Sequence, residues 1–318
     1  MNRQKLVSIV TPCFNAEKHL SAYFDSVFSQ TYKTIELILV NDGSSDHTED
    51  VVQSFAPKLK EAGIKFEFVS YPVNRGQAYA LNCGLKCVTG EYLSWIDVDD
   101  QMTEDCLEKK VSFLENNPQC DYCVCNAVSV NSFTNEEILY QPKVKNDRKA
   151  IAESIIFSKC GYYVCGAYMV RSAFFDSIVA DREIFTGRGG QNAQMLIPCS
   201  WYGTPGYIDD VLYKFYYYSD SHSHSINIPA KQVQQLYDFQ EIVVNTLNRT
   251  KDDELIKYIP AVEKHYARLR FGHSLDSKDV LLIKQCAKQL KDLGLLTNHD
   301  RYLVFRYTNT LSRIIFPV

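Results

Sequence analysis

Asp97-Val98-Asp99-Asp100 places three carboxylates within four residues, directly behind the apolar run 92–96. Like charges so close raise one another's pKa unless something positive lies among them. A divalent cation that prefers hard oxygen ligands, Mn2+ or Mg2+, meets that need and keeps positions open for diphosphate oxygens. The plainer reading is an acidic helix start, in which Asp100, Glu104 and Asp105 complement a helix dipole. Asp42 follows a second apolar run, 35–40, inside Asn41-Asp42-Gly43-Ser44-Ser45-Asp46. Turn and cap chemistry accounts for Ser44 or Asp46. It accounts less well for an acid immediately behind a buried strand, where a carboxylate can accept the ring N–H of a uracil. Arg75, in Asn74-Arg75-Gly76, is either a cation for a nucleotide and its phosphates or a solvated loop arginine.

The elements that must position these groups alternate. Short apolar, β-branched runs at 6–11, 35–40, 66–70 and 92–96 read as strands buried on both faces. Helical spacing follows at about 16–29, 48–62 and 76–88, with Leu20, Phe24, Val27 and Phe28 on one side of the first. The alternation predicts an α/β fold with a mostly parallel sheet flanked by helices. In such sheets ligands bind beyond the carboxyl ends of the strands. Asp42, Arg75, Asp97 and Asp99 all fall there. Residues 121–225 are less regular, with strands at 122–130 and 207–218. A glycine turn at 187–190 precedes a helical stretch, 191–201. From about 229 onward the chain reads as helices near 229–249, 252–272 and 276–293.

The composition is that of a globular protein with a real core: 318 residues, 46% hydrophobic and 23% charged. The net charge of −4 argues against a nucleic-acid partner. The first residues carry no export-signal pattern and no run reaches the ~18 apolar residues of a membrane span, so the expected location is the cytosol. Eleven cysteines in such a chain read as reduced thiols. Cys120, Cys123 and Cys125 have the first spacing of a zinc half-site, but no second pair follows, and they read as a buried strand.

Taken in order, several stretches resemble the family 2 glycosyltransferases, which have the GT-A fold. They are residues 7–15, Ser29-Gln30-Thr31-Tyr32, residues 36–46, Asn74-Arg75-Gly76, Asn82-Cys83-Gly84, Gly90-Glu91-Tyr92-Leu93 and Asp97-Val98-Asp99-Asp100. The resemblance covers about residues 5–225. It implies that Pro12 and Phe14 cradle a uracil, with Phe14 where the family usually carries Tyr. It implies that Asp42 reads the base, that Asp97 stands near the ribose and the metal, and that Asp99 is a metal ligand. The stretch 165–171 resembles a segment near the acceptor site, and 208–213 the closing strand. His222 or His224, just beyond it, could reach the metal or the diphosphate; the alternative is a surface loop.

One departure stands out. The family opens the helix after the glycine turn with Glu-Asp, and its Asp deprotonates the acceptor hydroxyl. This chain has Gln191-Asn192, and a neutral amide takes no proton at neutral pH. Asn192 then orients the acceptor while another acid serves as base, with Asp100 and Asp210 as candidates, or the base is missing.

The expected organisation is a GT-A-like domain over residues 1–225 and a helical extension over 226–318. The tail 301–318 alternates arginines with apolar residues. It is either a peripheral contact with a membrane surface or a helix packed on the domain. The expected reaction is transfer, with inversion, from a nucleotide sugar such as a UDP-sugar to a hydroxyl of a glycan or lipid-linked glycan acceptor, as in capsule, exopolysaccharide or O-antigen synthesis. The rivals are a nucleotidyltransferase and a sugar-nucleotide-binding subunit without a catalytic base. The first lacks its Gly-rich basic loop at Pro12 to Ala16.

Overall fold

The computed structural model describes residues 4–159, 162–217 and 228–309. The chain divides into two compact units, Met1–Tyr218 and Ser219–Val318.

The first unit opens with the alternation that the sequence predicts. β1 (Val7–Cys13), α1 (Leu20–Phe28), β2 (Ile35–Asp42), α2 (Thr48–Glu61), β3 (Lys65–Tyr71), α3 (Gln77–Cys87) and β4 (Tyr92–Trp95) follow one another. β1 pairs in parallel with β2 on one side and β4 on the other, and β3 lies parallel outside β2. Every residue of β1 and β2 is buried, which is why both read as unbroken apolar runs. Ser8, Thr11, Asn41 and Asp42 are buried polar residues of these strands, and so, near the start of β2, is the charged Glu36. It is 1% exposed. Its carboxylate accepts bonds from Ser8, Lys65 and both the amide and hydroxyl of Thr89, so no buried charge is left alone.

β5 (Gln101–Met102), α4 (Cys106–Asn116), β6 (Tyr122–Asn131), β7 (Glu137–Tyr140), α5 (Arg148–Ile156), β8 (Tyr168–Arg171), α6 (Ser172–Ile178), α7 (Gln191–Tyr202) and β9 (Pro205–Tyr217) complete the unit. The sheet runs β3-β2-β1-β4-β8-β6-β9-β5, with β7 also on β6. The parallel pattern holds for the first four strands and for β6 with β9. β8 runs antiparallel to β4 and β6, and β7 antiparallel to β6. The link from β6 to β7 is hairpin-sized, and a parallel partner would need a crossover. Cys123 and Cys125 are buried thiols of β6, as the strand reading expects.

The second unit is helical: α8 (Pro229–Thr250), α9 (Asp253–Ile256), α10 (Ile259–Ser277), α11 (Val280–Asp292) and α12 (Asn298–Thr308). Two helix boundaries differ from the sequence reading. The stretch 252–272 is not one helix, because Pro260 sits in the first turn of α10 and cannot continue a helix from behind. The next helix starts at Val280 rather than 276. Lys278 takes the left-handed conformation (φ 56°) and Asp279 caps α11 through the amides of Leu281 and Leu282. Val233, Ala267, Phe271, Cys286 and Leu290 form a core here. Tyr302 and Phe305 of α12 are exposed; residues 310–318 of the tail lie outside the described residues. No described helix is long and apolar enough to cross a membrane.

Candidate active site

The loops behind β1 and β2 are fastened to each other. Asn15 accepts from the Ser45 amide (2.8 Å) and gives its own amide to Ser44 Oγ (2.8 Å). The amides of Ala16 and Glu17 reach Thr48 Oγ1 and Asp46. Asp46 and Thr48 are thereby explained as loop braces, as the turn reading of that stretch expects. Gly43 has φ +72°, and a Cβ there would lie 2.5 Å from the backbone of Val73 and Asn74. A glycine is required for the third loop, 73–76, to close on the second.

Asp42 holds that third loop. Its two carboxylate oxygens accept the amides of Arg75 (2.9 Å) and Gly76 (2.7 Å), and it is 2% exposed. Arg75 itself is exposed, with its guanidinium 4.9 Å over the Tyr79 ring and bonded to Tyr79 Oη. Phe14, 44% exposed, stands free at the end of β1, and Pro12 is buried in that strand.

The acids behind β4 form a turn closed by Asp100 N to Asp97 O (3.2 Å). Asp97 accepts from Gln77 Nε2 (2.9 Å) and from the Cys165 thiol (3.1 Å). Gln77 begins α3, directly behind the loop held by Asp42, so one short stretch touches both acids. Asp100 is buried, and accepts from Tyr213 Oη (2.8 Å) and the Tyr216 amide (3.2 Å). Burial is the main force pushing the Asp97 carboxyl up to about 6; the Asp99 charge adds to it, against the bonds from Cys165 and Gln77. Burial also raises Asp99, eased by its own amide and by His19. Asp100 is pushed well above the carboxylate range by burial and then by Asp99 and Asp97. Burial, Asp97 and Asp100 keep the Cys165 thiol protonated, which suits its donor role.

Asp97, Asp100 and Cys165 each offer a ligand atom within 4.8 Å of the others. Two mutually repelling carboxylates, with Asp99 beside them, fit a hard divalent cation; the protonated thiol serves as a hydrogen-bond donor to that set. Gln77 carries no signal in sequence; the resemblance marks the stretches 165–171 and 208–213, but nothing local pairs Cys165 with Asp97 or Tyr213 with Asp100. Cys165 is 68 positions from Asp97 and Tyr213 is 113 from Asp100.

Asn192 stands at the start of α7, where Trp95 Nε1 donates to its Oδ1 (3.1 Å) and its Nδ2 donates to Tyr163 O (3.4 Å). Trp95 ends β4, so Asn192 is tied to the strand that carries the acids. Asp210 is elsewhere in its bonding. Its carboxylate pairs with Lys109 of α4 (2.8 Å), which also holds Asp105 (2.8 Å). His222 and His224 lie outside the described residues.

A 121-residue stretch is 37% identical to an uncharacterized glycosyltransferase of Rickettsia prowazekii, covering 37% of this chain and 36% of that one. A 112-residue stretch is 38% identical to an uncharacterized glycosyltransferase of Haemophilus influenzae, covering 35% of this chain and 43% of that one. The chain therefore matches less than half of each relative's length. Among solved structures, Staphylococcus aureus TarS 1–349 in complex with UDP-GlcNAc is similar with a TM-score of 0.62 at 16% identity, over 98% of this chain and 91% of that one. The mannosyltransferase PcManGT of Pyrobaculum calidifontis, in complex with GDP-Man and Mn2+, is similar with a TM-score of 0.53 at 15% identity, over 99% and 87%. These likenesses establish the GT-A fold. The profile of glycosyl transferase family 2 matches residues 8–178, more than half of the chain, and the chain belongs to that family.

Proposed function

We propose that the protein is an inverting glycosyltransferase that moves a sugar from a UDP-sugar to a hydroxyl of a glycan or lipid-linked glycan, in a polysaccharide pathway. One observation carries the reading. The acids behind β4 and the loop held by Asp42 meet through Gln77 at one edge of the sheet. Phe14 offers a ring face for the base, Asp42 an acceptor for its N–H, and Arg75 a charge for the phosphates. Asp97 and Asp99, with the Asp100 carboxylate close to that of Asp97, would hold Mn2+ or Mg2+, and the cation would supply Lewis-acid charge to a leaving diphosphate. The UDP-GlcNAc of the TarS complex and the GDP-Man and Mn2+ of the PcManGT complex support donor and cation classes of this kind.

Asn192 orients the acceptor hydroxyl but removes no proton. Of the two acids considered as base, Asp210 is drawn off by Lys109. Asp100 is the remaining candidate, and it can serve only if the cation beside it keeps it ionised, because burial, Asp99 and Asp97 otherwise push its carboxyl well above the carboxylate range. The test is release of nucleoside diphosphate from a panel of nucleotide sugars, with Mn2+ and with excess EDTA. Turnover of a UDP-sugar that stops in EDTA, with UDP affinity lowered about tenfold or more in Asp99→Asn, is the expected result. Equal UDP affinity with EDTA and in the variant overturns the cation assignment.

The amide at Asn192 favours a second reading, a binding subunit that has lost its base. Tight UDP binding with no turnover of any donor, and a gain of activity in Asn192→Asp, would establish it.

A further inference from the structure

Residues 184 and 185 have no strand partner among the described residues, yet all four of their backbone polar groups are paired. Asn82 of α3 accepts from the Ile184 amide (2.8 Å) and donates to the Ile184 carbonyl (2.8 Å). Gln194 of α7 does the same for Phe185, accepting at 2.7 Å and donating at 2.8 Å. Both side chains are buried, at 5% and 3% exposure. Each carboxamide thus stands in for one residue of a missing strand.

The chain on either side is costly to place. Asp181 and Arg182 both have positive φ, 55° and 50°, a conformation that non-glycine residues keep only where the surroundings impose it. Arg182 is anchored by Asp176 on one side and by the carbonyls of Leu85 and Val88, at the end of α3, on the other. Beyond the clamp, the glycine turn leads into Gln191, whose Oε1 is buried without a hydrogen-bond partner among the described residues. The start of α7 is held through Asn192, by Trp95 and Tyr163, and one turn further on by the Gln194 pair to Phe185.

We propose that Asn82 and Gln194 are positioning residues that set segment 184–192, the acceptor side of the site, and that α3 carries donor occupancy to that segment. The second half rests on the donor reading above. α3 begins at Gln77 on Asp97, directly after the amides that bind Asp42, and five residues on it carries Asn82. Nucleotide that orders the first turn of α3 orders the clamp on the same rigid helix.

The test is amide hydrogen exchange of the whole chain, with and without UDP and Mn2+, followed by NMR at Ile184 and Phe185. In the unsubstituted protein UDP with Mn2+ slows exchange across 184–190. In Asn82→Ala exchange at Ile184 rises about tenfold, as expected for losing a buried pair of bonds, and the nucleotide response disappears. Affinity for UDP by calorimetry stays within about twofold of the unsubstituted value. Asn82→Asp keeps the acceptor and loses the donor, so it falls between the two. Gln194→Met keeps side-chain length without the bonds and raises exchange at Phe185. Amides of β1 and β2 report whether the variants remain folded. Unchanged exchange at 184–185 in both Asn82→Ala and Gln194→Met overturns the clamp, and an undiminished UDP response in Asn82→Ala overturns its link to the donor. A protein that binds no UDP, yet exchanges faster in these variants, contradicts the donor reading and the coupling while the clamp stands.

Discussion

Asp42 answers a question that its position raises. A carboxylate 2% exposed behind a strand must have partners, and it has two in the amides of Arg75 and Gly76. Each oxygen keeps a further lone pair, so a base N–H can still be accepted. The residue then has a structural and a recognition task that one substitution affects together. Asn at this position offers one acceptor and turns an NH2 group against a backbone N–H. Asp42→Asn should lower UDP affinity roughly 5- to 150-fold, the equivalent of about 1–3 kcal/mol, and lower the melting temperature as loop 73–76 loosens. Calorimetry with UDP and CDP separates the tasks: the unsubstituted protein should prefer UDP, and equal binding of CDP would falsify base reading while leaving the loop role intact.

At the scale of elements, the acid cluster depends on a tight crossing between the 3-10 turn Cys165–Ala167 and β9. A Cβ on Gly166 would lie 1.9 Å from the Tyr213 ring, so the ring packs directly on the backbone of the residue after Cys165. Lys110 of α4, fully buried, donates to the Gly166 carbonyl (2.5 Å) and fixes the turn from the other side. Tyr213 in turn donates to Asp100. Gly166→Ala should therefore cost about 1–3 kcal/mol by overpacking and move Tyr213 off Asp100. Thermal unfolding, with UDP binding in Mn2+, checks both parts. A variant as stable as the unsubstituted protein would mean that the ring yields without consequence.

Each unit of the whole molecule carries a buried carboxylate whose bonds make stability depend on pH. For Glu36 burial pushes the carboxyl up, and the bonds from Lys65, Ser8 and Thr89 outweigh it, leaving it below the usual range. For Asp300 burial again opposes, and Arg268 and Thr297 prevail. A carboxyl with a lowered pKa in the folded state binds its proton more weakly than in the unfolded chain. Its contribution is full above the unfolded value, about 4, and is lost as pH falls through the folded value. Asp300→Asn should therefore destabilise the helical unit at pH 7, and the gap to the unsubstituted protein should narrow as pH falls below about 4. Urea unfolding at the two pH values measures it. A gap that stays constant would trace the loss to the capping box at Thr297 rather than to charge.

The sequence by itself determined the alternation of β1 to β4 with α1 to α3, because a strand buried on both faces must be apolar along its length and stop at polar loops. It also determined that Asp42, Arg75 and the acids 97–100 share one edge, since parallel strands deliver their carboxyl ends to the same side. Only the tertiary structure decided which groups complete the site. Cys165 and Tyr213 reach the acids from distant strands and turns, and no local pattern marks a residue whose task is set by a partner 68 or 113 positions away. The same holds for Gln194, and for Asn82, whose stretch the family resemblance marks without a task, until Ile184 and Phe185 lie against them. Local propensity writes elements into a chain, whereas hydrogen-bond partnership between elements is settled by how they pack.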